Sequence, residues 1–66
     1  MLKLNTNKMI LIKFEIDNKQ ELTIPCRHVP RTNETVIISK QDYIVVNVEY
    51  DLEFDTVIVY LLSQEV

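Results

Sequence analysis

Arg27, His28 and Arg31 fall within five positions of one another in an otherwise acidic chain, and Lys40 stands on the next expected turn. Arginine offers a planar, two-pronged donor that fits carboxylate or phosphate, and histidine adds charge near neutral pH, so this corner is a candidate anion site. The plainer alternative is that Arg27 and Arg31 pair with Glu34, Glu21 or Asp42 and simply pin a loop. Glu49, Asp51, Glu53 and Asp55 have the spacing of oxygen ligands. A calcium loop, however, normally needs a sharp glycine turn and more ligands than these. We therefore expect no metal here but a solvated acidic face, on which Asp51 and Glu53 flank two apolar anchors, Leu52 and Phe54, that suit docking to a partner protein.

Cys26 and His28 are two apart, and on an extended segment that spacing sets both side chains on one side. A nucleophile and base would still need oxyanion donors, and no glycine-rich turn or helix start supplies them. Cys26 is better read as a small core residue at a strand end. The chain has no glycine, so a phosphate-cradling loop is excluded as well. No enzyme and no cofactor is expected. Tyr43, Tyr50, Tyr60, Phe14 and Phe54 could stack on bases only beside a basic groove, and strand aromatics ordinarily pack in cores and cross-strand pairs.

These residues must be positioned by one small domain, expected over 1–66 with residues 1–8 as a flexible or edge-strand arm. A chain of 66 residues buries only about 60% of the surface its unfolded form exposes, so its core is marginal alone. One cysteine and one histidine provide neither a disulfide nor a metal site, which leaves a strongly apolar core or oligomerisation as the stabilising device. Hydrophobic residues make up 47% of the sequence without any help from glycine. The net charge of −3 argues against general nucleic-acid binding, which carries a basic footprint. The lone cysteine and the lack of a cleavable apolar leader suit a cytoplasmic setting, and no apolar run is long enough to span a membrane.

Hydrophobic alternation supplies the elements. Met9 to Ile16 turns Ile10, Ile12, Phe14 and Ile16 to one face, the period-2 pattern of a strand. A turn at Asp17 to Gln20 leads into Glu21 to Ile24, which Pro25 should end because proline cannot donate a ladder hydrogen bond. Residues 25–35 form the longest loop, where Asn33 is the residue suited to positive φ. Val36 to Ser39 and Tyr43 to Tyr50 follow, the latter with Ile44, Val46, Val48 and Tyr50 on one face and Tyr43, Val45, Asn47 and Glu49 on the other. Residues 50–56 could continue that strand to Asp55, or turn between Asp51 and Asp55; we favour the turn, since aspartate suits reversals. Val57 to Leu62 is apolar on both faces, as in a strand covered on both sides, so Val57, Val59 and Leu61 are expected at a barrel centre or a homo-oligomer contact. The fold class expected is all-β: a small five-stranded antiparallel barrel, SH3-like or OB-like in size.

Val29-Pro30-Arg31-x-x-Glu34-x-Val36, then Tyr43-x-Val45 to Val48-x-Tyr50-Asp51 and Val57-x-Val59-Tyr60-Leu61, resembles short all-β proteins of bacteriophages and mobile elements over residues 29–62. Where those modules carry glycine this chain has Asn33. The resemblance implies a phage setting, in the host cytosol, and two kinds of role. One is a counter-defence protein that sequesters a small anionic, nucleotide-like immune signal or occludes a host immune protein. The other is a structural adaptor of a phage particle or mobile element.

Overall fold

The computed structural model describes residues 9–64. The expected arm at residues 1–8 lies outside them. Five strands follow in order: β1 (Ile10–Ile16), β2 (Gln20–Cys26), β3 (Thr35–Ile38), β4 (Gln41–Asp51) and β5 (Thr56–Ser63). They form one sheet in the order β2-β1-β5-β4-β3, curled strongly into a half-barrel. The all-β, barrel-like expectation therefore holds. One detail differs from a wholly antiparallel sheet, because β1 and β5 run parallel, with Ile12 opposite Val57 and Ile16 opposite Leu61. Three of the connections are tight hairpins; residues 27–34 instead carry the chain from one edge strand, β2, to the other, β3.

Tight turns without glycine require other residues at positive φ, and among the described residues six do this: Asp17, Asn18, Asn33, Ser39, Lys40 and Asp55. Asp17-Asn18 and Ser39-Lys40 are consecutive pairs, the signature of the primed turns whose twist matches that of hairpin strands. Asn33 takes the conformation expected of it, with φ 78°. The favoured turn after β4 also holds, since Asp51 pairs with Thr56 and residues 52–55 reverse the chain. Pro25 does not end β2. It lies within the strand opposite Leu11, which an edge position allows because the missing N–H leaves no neighbouring strand unpaired.

Ile12, Phe14, Ile16, Tyr43, Val45, Val59 and Leu61 make the buried core. Partly buried Leu22, Ile24, Val36, Ile38, Val48 and Val57 pack around it, and Val29 of the long connection joins them from outside the sheet. The single unbroken alternation expected across residues 43 to 50 does not hold. Tyr43 and Val45 are buried, while Val46 is exposed. The cause is a β-bulge: Val45 pairs with Leu61 and Asn47 with Tyr60, leaving Val46 as the extra residue. One inserted residue shifts a period-2 pattern by one step, so the alternation read across residues 43 to 50 changes face midway. Val48 and Tyr50, opposite Val59 and Val57, share the inner side with Tyr43 and Val45.

β5 is the middle strand, which accounts for its double-sided apolar sequence. Val59 and Leu61 are fully buried in the protomer's own core, Ile58 and Tyr60 are half-buried on the outer face, and Leu62 is exposed. Of the three residues expected at a barrel centre or a contact between copies, Val59 and Leu61 are enclosed in the protomer's core and Val57 is half-buried beside it.

Candidate functional site

The strand register assigns each expected site residue to one end of the sheet. Cys26 pairs with Ile10, Ile12 with Val57 and Tyr50 with Val57, so the exit of β2 and the β4–β5 turn share an end. Arg27, His28, Leu52 and Phe54 belong to that end. Lys40 is in the β3–β4 turn, beside the end where Tyr43 meets Ser63. The expected set Arg27, His28, Arg31 and Lys40 is therefore divided: Lys40 is at the opposite end of β4 from Arg27 and His28, and Arg31 lies beside Val48 and Tyr50 of that strand.

At the β4–β5 turn the chain builds a rigid platform from its own polar atoms. Asp51 Oδ1 accepts the backbone N–H of Glu53 at 3.1 Å and of Phe54 at 3.3 Å. Thr56 Oγ1 donates to the Phe54 carbonyl at 3.0 Å. On that frame Leu52 is 88% and Phe54 74% exposed. Asp51 thus acts inside the turn as its cap, while Leu52, Glu53 and Phe54 face outward. Burying each apolar side chain against a partner would contribute about 1.5–3 kcal/mol.

The loop 27–34 is equally well fixed, though by backbone contacts. The Arg31 N–H donates to Glu34 Oε1 at 2.8 Å and the Glu34 N–H to the Arg31 carbonyl at 3.0 Å. The Asn33 N–H donates to the Val45 carbonyl at 2.8 Å, and the Val45 N–H to the Glu34 carbonyl at 2.9 Å. Glu34 pins the loop, but through the main chain of Arg31 and not its guanidinium. Among the described residues the one ion pair is Lys13 with Glu21 at 3.6 Å, which leaves the side chains of Arg27, His28 and Arg31 exposed and without an acidic partner there. Between this loop and β4 lies an open cleft of about 410 Å³, lined by Val29, Pro30, Arg31, Thr32, Val48 and Tyr50.

Sequence reasoning did not find the cleft, because the strand beside which the 27–34 loop packs is set by contacts remote in sequence. It also missed two polar clasps. Tyr60 Oη donates to Glu49 Oε1 at 2.8 Å on the outer face, and that bond raises the Tyr60 phenol above its ordinary range. Asp17 Oδ1 accepts the Ser63 N–H at 2.9 Å and its Oδ2 accepts the Ser63 hydroxyl. These bonds hold the Asp17 carboxyl below the usual carboxylate value. Cys26 donates weakly to the Ile24 carbonyl at 3.5 Å, and burial pushes its thiol up, away from nucleophilic character. Among the described residues no cluster of three or more histidine, cysteine or acidic groups is arranged to hold a metal ion, and no helix is long and apolar enough to cross a membrane.

Comparison with protein-family models, with curated proteins and with solved structures finds no match to this chain.

Proposed function

We propose that the chain is a non-catalytic binding protein that docks a partner protein through the β4–β5 turn. The observation that carries this reading is the exposure of Leu52 and Phe54 at 88% and 74% on a turn whose backbone is tied down by Asp51 and Thr56. A fixed turn loses little conformational entropy on binding, and apolar anchors inside a polar rim are how small interfaces gain their energy. Glu53 and Asp55 beside the anchors favour a basic rim on the partner. In the phage setting that the resemblance implies, such a turn would occlude a host immune protein.

Leu52→Asp and Phe54→Asp are the test. Both side chains are exposed, so each variant should keep its melting temperature to within the equivalent of about 0.5 kcal/mol. Immobilised wild-type protein and a Lys19→Ala control, substituted at the far end of the sheet, should retain the same host protein from lysate. The two aspartate variants should lose it. Equal retention by all four would sink the docking role of this turn.

A further inference from the structure

We propose that the cleft between the 27–34 loop and β4 is a second binding site, for a small ligand that combines a planar ring with a phosphate. Its construction differs from that of the docking turn and does not depend on it. Val29, Pro30 and Val48 form an apolar floor, Tyr50 an aromatic wall and Arg31 a cationic edge, with Thr32 adding a hydroxyl. Tyr50 is 61% exposed, which leaves it open for a ring to stack on. Stacking on an aromatic face tolerates any base-like ring, and a guanidinium is the group best matched to phosphate.

Two features make Arg31 available. Its backbone is locked by Glu34 and by the adjoining pairing of Asn33 with Val45, so the side chain leaves a fixed point. Its guanidinium meets no acid among the described residues. The acids nearest in sequence to Tyr50 are occupied elsewhere, Glu49 with the Tyr60 hydroxyl and Asp51 inside its own turn. A volume of about 410 Å³ falls in the range of small-ligand sites, about 300–1,000 Å³. The pairing of one aromatic side chain, Tyr50, with one arginine, Arg31, in the same cleft is what the sequence pattern alone could not supply.

Nitrogen-15 NMR titration with adenosine 5′-monophosphate, adenosine and inorganic phosphate, each added separately, tests the site. The mononucleotide should shift the amides of Arg31, Thr32, Val48 and Tyr50 and bind about tenfold or more tightly than adenosine or phosphate alone, since only it uses both halves of the cleft. Arg31→Ala and Tyr50→Ala should each weaken it about tenfold, whereas Tyr50→Phe, which keeps the ring, should restore binding. Amide spectra of the free variants report whether each is folded. Shifts at Arg27, His28 or Lys40 without these four residues, or phosphate binding as well as the mononucleotide, would overturn the proposal. Leu52→Asp should bind the mononucleotide normally, so the two sites fail or stand separately.

Discussion

Lys40 shows how single residues carry conformational load in a chain without glycine. At φ 69° its Cβ crowds the backbone, which costs about 1–2 kcal/mol for a residue other than glycine. Lys40→Gly should therefore raise stability by about 1 kcal/mol despite the looser unfolded chain, or about 4–8 °C in melting temperature for a domain of this size. Thermal unfolding followed by circular dichroism checks it, and a lower melting temperature would count against a strained turn. Asp17 carries load of another kind, electrostatic and dependent on pH. Its carboxyl titrates below the ordinary value because of the Ser63 bonds. A lowered folded-state value means the clasp contributes in full above the unfolded carboxylate value of about 3.9 and is lost as pH falls through the folded one. Asp17→Asn keeps a side chain tolerant of positive φ but has no charge. The gap in melting temperature between wild type and Asp17→Asn should be widest near neutrality and close as the solution is acidified below about pH 4. A gap constant with pH would mean the clasp works by shape alone.

The element whose behaviour most depends on local irregularity is β4. Removing the extra residue, Val46, restores simple alternation: Tyr43, Val45, Val48 and Tyr50 all remain inward without a bulge. The same operation in β5, which has no bulge, reverses the remainder of the strand and turns Val59 outward. Deletion of Val46 should leave a cooperative thermal transition, while deletion of Ile58 should abolish it. Loss of folding in both would mean that the bulge is itself required for curvature. This contrast also explains how far the elements were legible. β1 was read correctly because nothing interrupts Ile12, Phe14 and Ile16. The turn at residues 52–55 followed from aspartate chemistry, and the positive φ of Asn33 from the absence of any glycine. The bulge left no mark, since Val45, Val46 and Val48 are chemically alike and period-2 reading cannot tell which of them is the extra one. Pro25 misled for the opposite reason: its strong local preference is satisfied at a sheet edge, and edge position is decided by pairings remote in sequence.

At the scale of the whole molecule the same limit applies to the site. Arg27, His28 and Arg31 were legible as a group because they are neighbours in sequence, whereas the company kept by Arg31, namely Tyr50 and Val48, depends on a connection running from edge to edge of the sheet. Lys40 fell away because the β3–β4 hairpin carries it to the opposite end. The sheet architecture likewise decides how copies of the chain could associate. Among the described residues seven side chains are buried as the core, and both edge strands, β2 and β3, lack an outer neighbour. Such a domain is marginal on its own, and the residues best suited to self-association, Val59 and Leu61, are already enclosed. The outer face carries, among other side chains, Leu62, with Ile44 directly opposite it on β4 and exposed Val46 and Ile37 nearby. If this face joins two copies, association adds to stability by mass action and the melting temperature rises with protein concentration. Leu62→Lys, at a position 44% exposed, should remove that dependence and halve the mass seen by sedimentation while leaving the β-sheet circular dichroism spectrum unchanged. A wild-type melting temperature that stays fixed over a hundredfold range of concentration would instead mean that the half-barrel is stable as a single copy.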